Sequence, residues 1–138
     1  MKVQDVMTKK PATLASGSSC VDAAKLMERE DCGSLPIVDG GKLVGIVTDR
    51  DIVVRCLARD RDPKTTRVSE VMTTDPVTIA PSEDAVRAEK IMAEHQVRRL
   101  PVVDDGKLAG IVVIGQLARN EKDGERVGDT LKEISKPS

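Results

Sequence analysis

VMTKKPATLASGSSCVDAAKLMEREDCGSLPIVDGGKLVGIV, Val6 to Val47, lies without a gap over VMTTDPVTIAPSEDAVRAEKIMAEHQVRRLPVVDDGKLAGIV, Val71 to Val112. The offset is 65 residues; 20 of the 42 aligned positions are identical, and five others exchange one aliphatic for another. A repeat of this quality dictates a two-fold architecture. A unit of about 60 residues buries only about 60% of its unfolded surface and is marginal alone, so the two copies in these 138 residues are expected to pack against each other with pseudo-two-fold symmetry.

Each copy opens with a short segment, Val3 to Thr8 or Val68 to Thr73, followed by Pro11 or Pro76 and a brief β-prone stretch ending in Leu14 or Ile79. An amphipathic helix follows. In the first copy Ser19 is expected to cap it, with Asp22 three residues on reaching back. Val21, Ala24 and Met27 then share a face, with Ala23 beside it; Asp84 caps the second helix, whose matching stripe of Val86, Glu89 and Met92 is only partly apolar. Asp39-Gly40-Gly41-Lys42 and Asp104-Asp105-Gly106-Lys107 each join two strands as a hairpin, and helices over Asp51 to Arg59 and Gly115 to Asn120 close the copies. The order is β-α-β-β-α twice, an α/β (α+β) fold class: residues 1–60, a polar linker at 61–67, residues 68–120, and a charged tail at 121–138 with a helix expected over Val127 to Ile134.

Net charge is −1 with 33% charged residues, so no global field attracts nucleic acid or an anionic membrane. There is no Phe, Tyr or Trp; the core must be aliphatic, and the stacking platforms that hold single-stranded nucleic acid are missing. Cys20, Cys32 and Cys56 are odd in number and form no CxxC pair, which suits small buried side chains in a reducing compartment. No stretch approaches the roughly 18 to 20 apolar residues of a membrane span. A soluble, cytoplasmic protein is expected, with neither membrane nor nucleic acid among its partners.

The copies part company at one place. GIVTDRD, Gly45 to Asp51, is answered by GIVVIGQ, Gly110 to Gln116, so Thr48 becomes Val113 and Asp51 becomes Gln116. The first of these strands ends near Thr48 and a helix starts at once, placing Thr48 and Asp51 on the same side of its first turn. A carboxylate there can accept from both vicinal hydroxyls of a ribose, while a hydroxyl and free helix N–H groups suit ribose and phosphate oxygens. Each charge-assisted bond contributes about 1.5 to 3 kcal/mol. Gln116 offers only neutral bonds and Val113 none.

Two gapless copies, each with VMT, PxT, a helix ending in Met, LPxVD and GIV, resemble a tandem pair of cystathionine β-synthase (CBS) domains, the Bateman module, over about Val3 to Arg119. DRDIVVR (Asp49 to Arg55) and EHQVRRLPV (Glu94 to Val102) are similar to the stand-alone hypoxic-response type. The family's site motif of Gly, two aliphatics, Thr or Ser, two residues and Asp is met in full at Gly45, Thr48 and Asp51. The resemblance implies that one repeat holds the ribose while basic residues ahead of the other repeat's LP strand meet the phosphate. Those are Arg98 and Arg99, where the first copy has Gly33 and Ser34. It also implies that adenine rests against Pro11, Ala12 and Thr13 and against Leu35 and Pro36. One competent site, joining Thr48 and Asp51 to Arg98 and Arg99, is thus expected beside one degenerate cavity near Val113 and Gln116.

Plainer roles compete with these. Asp51 also suits the helix dipole as a first-turn acid, Thr48 suits a strand, and the two arginines suit a solvated helix end. His95 has no Cys or carboxylate partner at metal spacing and reads as a helix-end residue; Met7, Met27, Met72 and Met92 recur at equivalent positions and read as core; Lys42 and Lys107 sit at hairpin tips. No nucleophile with its base, Walker loop or GxGxxG is present, so neither an enzyme nor a catalytic cofactor is expected. The expected function is a regulatory module binding an adenine nucleotide (AMP, ADP or ATP), working as a homodimer that buries Ile52, Val53 and Cys56. The alternative is a ligand-free scaffold docking to a partner protein.

Overall fold

The computed structural model describes residues 1–120 and Ile134, which divide into two units that do not coincide with the sequence repeats. One unit joins Met1–Pro11 to the chain from Val77 onward; the other is Ala12–Pro76. The opening segment of each copy therefore belongs with the body of the other. Segment Ala12–Pro76 will be called the first-repeat unit and the remainder the second-repeat unit.

In the first-repeat unit, Leu14 forms a parallel bridge to Ile37, fulfilling the expected short β stretch. Helix α2 (Cys20–Glu30) starts at Ser19, whose hydroxyl accepts from Asp22 N–H while the Asp22 carboxylate accepts from Ser19 N–H, the expected reciprocal cap. Strands β2 (Ser34–Asp39) and β3 (Lys42–Thr48) pair antiparallel across the glycine turn, with a register shift between Ile37 and Val38. Gly40 and Gly41 lie at φ 59° and 82°, the region glycine reaches most cheaply. One α-turn, α3 (Asp49–Asp51), continues as a π-helical turn, Ile52–Cys56, and a 3-10 turn, Leu57–Arg59; a further 3-10 turn spans Val68–Glu70. That last turn is fastened to the start of α2 by Val68 N–H to Ser18 O (2.8 Å) and Cys20 N–H to Thr66 O (2.9 Å).

The second-repeat unit repeats this plan. Helix α1 (Val3–Val6) is fastened to the start of α4 (Ala85–His95) by Val3 N–H to Glu83 O and Ala85 N–H to Met1 O, both 2.8 Å. Strand β1 (Thr8–Lys9) pairs with β5 (Lys107–Val113), which pairs with β4 (Arg99–Asp104), all antiparallel. Helix α5 (Ile114–Asn120) closes the unit. The exchange of opening segments has a plain cause: Val3 and Val6 bury among Ala88, Met92 and Val112, and Val68 and Val71 bury among Cys20, Leu35 and Val47. Both hydrophobic clusters are aliphatic apart from Cys and Met sulfur, and Thr66 and Glu89 are the polar residues buried among the described residues.

Four sequence expectations are corrected. The buried face of α2 is Cys20, Ala23, Leu26 and Met27, whereas Ala24 is exposed; taking Cys20 rather than Val21 as the first core position turns the stripe by one residue. In α4 the buried set is Ala85, Ala88, Glu89, Ile91 and Met92, with Val86 only half-buried. Ile52 and Cys56 likewise lie in their own unit's core, so an assembly surface on this segment would use Val53, Val54 and Leu57, which are exposed. Helix α3 also starts two residues before the expected Asp51. The helix expected over Val127 to Ile134 lies outside the described residues except for Ile134, which packs against the second-repeat core.

Candidate functional site

Gly45, the first residue of the GIVT motif, is required by packing. A Cβ there would lie 2.6 Å from Met72 Sδ and 2.8 Å from Thr73 O, because Ile46 and Thr73 exchange backbone hydrogen bonds at 3.0 and 2.8 Å. Gly110 stands in the same relation to Met7 and Thr8. The strand then runs straight to Thr48, whose extended backbone (φ −113°, ψ 162°) ends β3 and caps α3.

Thr48 and Asp51 meet through their own backbones. Asp51 N–H donates to Thr48 Oγ1 at 3.0 Å and Thr48 N–H donates to Asp51 Oδ2 at 2.9 Å. The other carboxylate oxygen, Oδ1, lies 3.8 Å from Arg55 Nε, and the Arg55 guanidinium also donates to Val71 O at 3.1 Å. The Asp51 side chain is 13% exposed. Its charge is held by a backbone N–H and a cation, its orientation is fixed, and Oδ1 faces the ion-pair partner at a distance that leaves room for another donor. Arg55 is a site residue that the sequence reading passed over; its signal was the i, i+4 spacing from Asp51.

At the matching place in the second-repeat unit an amide does the capping. Val113 N–H donates to Gln116 Oε1 at 3.0 Å, and Gln116 Nε2 donates to Thr8 Oγ1. The structural half of the motif survives the loss of charge, while the anion and hydroxyl do not. Arg99 is the first residue of β4, opposite Val113, and Arg98 O accepts from Ile114 N–H at 3.0 Å. Arg98 is exposed and Arg99 half-buried, and neither forms a salt bridge among the described residues. At the first-repeat equivalents, Asp49 N–H donates to Gly33 O at 2.9 Å, and a Cβ on Gly33 would lie 3.0 Å from Asp49 Oδ2.

The remaining candidates are distributed as follows. Pro11, Arg98 and Arg99 belong to the second-repeat unit, and Ala12, Thr13, Leu35, Pro36, Thr48 and Asp51 to the first. Leu35 is 1% exposed and its side chain is committed to the core, so it could meet a ligand only through its backbone; Pro36, next along the strand, faces the other way. Ala12 and Thr13 make no hydrogen bond among the described residues, which leaves their backbone polar groups open. His95 is exposed in the last turn of α4. Met27 and Met92 are buried and Met7 and Met72 half-buried against the cores, while Lys42 and Lys107 are exposed. Cys20 and Cys56 are fully buried, and burial first, then the neighbouring Cys56, pushes the Cys20 thiol up to about 11.

Residues 3–57 and 68–123 each match the model of the CBS domain. The chain belongs to the CBS-domain family. As a tandem CBS pair it is 44% identical over 133 residues to the CBS domain-containing protein YhcV of Bacillus subtilis, covering 96% of this chain and 94% of that one. It is 34% identical over 118 residues to hypoxic response protein 1 of Mycobacterium tuberculosis, covering 85% and 82%. A structure of Hypoxic Response Protein I with two coordinated zinc ions matches at TM-score 0.82 and 33% identity, over 88% of this chain and 99% of that one. Among the described residues of this CBS pair no group of three or more His, Cys, Asp or Glu could hold a metal. CBSX2 in complex with AMP matches at TM-score 0.75 and 32% identity, covering 86% and 93%. The CBS pair of MJ0100 with 5′-methylthioadenosine and S-adenosyl-L-methionine matches at 0.75 and 34%, covering 86% and 94%. No helix among the described residues is long and apolar enough to cross a membrane.

Proposed function

We propose that this CBS pair is a regulatory module that binds an adenine nucleotide of the AMP type and answers with a change of conformation or assembly. The observation that carries the reading is the fixed, nearly buried Asp51 carboxylate beside the Thr48 hydroxyl, at a position where the other repeat keeps the cap but not the charge. In this reading Asp51 Oδ1 accepts from a ribose hydroxyl, the open backbone groups of Ala12 and Thr13 read the adenine edge, and Arg98 and Arg99 supply the charge for phosphate. CBSX2 and MJ0100, solved with adenosine compounds, support the ligand class. The response follows from differential affinity: a nucleotide shifts the module only as far as it binds one state better than the other. ATP and ADP are competing occupants of the same site, the role is regulatory rather than catalytic, and three free cysteines suit a cytoplasmic setting.

A second reading is a homodimer or partner-docking scaffold without a ligand, favoured by the exposed Val53 (55%), Val54 (41%) and Leu57 (49%) on one irregular helical segment. The two readings separate in one preparation. With no Trp, Tyr or Phe the protein scarcely absorbs near 280 nm, so a 260 nm band exposes nucleotide retained on purification. Calorimetric titration with AMP, ADP, ATP and S-adenosylmethionine should show one site per chain. Silence with all four, together with a stable dimer, supports the scaffold.

A further inference from the structure

A cleft of about 490 Å³ opens within the first-repeat unit between the Ala12–Leu14 stretch and one face of α2, and none of Thr48, Asp51, Leu35 or Pro36 lines it. Its volume lies in the range of small-molecule sites, about 300 to 1,000 Å³. Its lining combines the apolar Ala12, Leu14 and Leu26 with two cations, Lys25 and Arg29, one helical turn apart. Lys25 forms no ion pair among the described residues, and Arg29 meets only its neighbour Glu30, through Nε at 3.5 Å. Thr13, on the opposite wall, leaves its hydroxyl and backbone groups unbonded among the described residues. A solvated helix face explains two cations; it does not explain their sharing a cleft with apolar side chains and the open donors of Thr13.

We propose that this cleft is a second ligand site, which shares the Ala12–Thr13 stretch with the adenine reading but none of the ribose motif, for a small amphiphilic anion: an organic phosphate or carboxylate whose apolar body rests on Leu14 and Leu26. Lys25 and Arg29 take the anionic group and Thr13 donates to it. Asp22, also in the wall, sets a limit on charge, because a polyanion spread along the cleft would meet its carboxylate. The site selects a single anionic head on an apolar body. The second repeat does not copy this charge pattern, since Arg87 and Glu94 stand where Asp22 and Arg29 do.

The test is an amide-resolved NMR titration of the whole chain with phenyl phosphate, with inorganic phosphate as the comparison. Saturable shifts centred on Thr13, Leu26 and Arg29 are expected, and Lys25→Gln with Arg29→Gln should weaken binding about tenfold or more. Asp51→Asn should bind phenyl phosphate as the parent does, which keeps this result separate from the adenine reading. Absence of shifts at these amides, shifts unchanged in the double variant, or an equal response to inorganic phosphate would overturn the proposal. Both substituted residues are exposed on a helix, so the variants should fold as the parent does.

Discussion

Thr48 and Asp51 hold each other across the start of α3, each backbone N–H donating to the other's side chain at 2.9 and 3.0 Å. The pair is thus a helix cap before it is a binding motif, and both roles draw on the same atoms. Gln116 separates them: it accepts the matching N–H of Val113 at 3.0 Å without carrying charge. A neutral acceptor suffices for the cap, so the charge at 51 is left with two uses: the Arg55 ion pair at 3.8 Å and the ribose recognition proposed above.

Removing the hydroxyl should cost stability as well as affinity. Thr48→Val leaves Asp51 N–H without its acceptor, and loss of such a cap costs about 1 kcal/mol. Urea unfolding followed by circular dichroism, the probe available to a protein without Trp or Tyr, checks this. Unchanged stability would show that the cap contributes nothing.

Gly45→Ala should destabilise by about 1 to 3 kcal/mol, as overpacking does, because the new methyl meets Met72 Sδ and Thr73 O inside 3.0 Å. Gly110→Ala should behave alike against Met7 and Thr8. Gly17→Ala, with open space around it, is the control. Equal stability of all three proteins would mean that the strand and the opening segment do not approach so closely in solution.

Stability should fall at both ends of the pH scale for identifiable reasons. Hydrogen bonds from Ser16 hold the Asp39 carboxyl below its usual 3.8, and the Arg67 N–H, with Arg61, holds Glu70 below 4.5. Their contributions are whole above those values and are lost as pH falls through the lower folded ones. Cys20 runs the other way: burial raises it from 9.0 to about 11, so its contribution is whole below 9.0 and lost as pH rises through about 11. Ser16→Ala should lower urea stability at neutral pH and leave it unchanged below the folded Asp39 value, so that the difference between the two proteins closes as pH falls. A difference that does not narrow on acidification would contradict the role given to Ser16.

The arginines can be tested by ligand rather than by fold. Arg98→Gln with Arg99→Gln should weaken AMP about tenfold or more while leaving adenosine almost untouched, since only AMP carries the charge they meet. An equal loss for both compounds would remove the phosphate role.

Much of this was readable in the residues. The repeat gave the element order, and Ser19 and Asp22 cap α2 as their spacing demanded. The same spacing recurs at Thr48 and Asp51, which were read either as ribose chemistry or as a first-turn acid after a strand threonine; in the structure they form a reciprocal cap. The apolar stripe of α2 was misjudged by one residue because Cys20, though expected to be buried, was not placed in the stripe that faces the core. Periodicity could not disclose that Val3 and Val6 serve the second-repeat core, since an amphipathic segment specifies a hydrophobic face and not which surface covers it. The π-helical turn at Ile52–Cys56 was equally hidden, since one extra residue in a turn leaves no compositional mark.

The central claim is that the charge of Asp51 serves a ligand and not the fold, and Asp51→Asn isolates it, because an amide retains an oxygen for Thr48 N–H as Gln116 does for Val113. Calorimetric titration of AMP into the parent and this variant, with urea unfolding of both, is the direct measurement. One AMP per parent chain, at least about tenfold weaker binding to the variant and stabilities within about 1 kcal/mol are predicted. Equal affinity in two equally folded proteins would contradict the account.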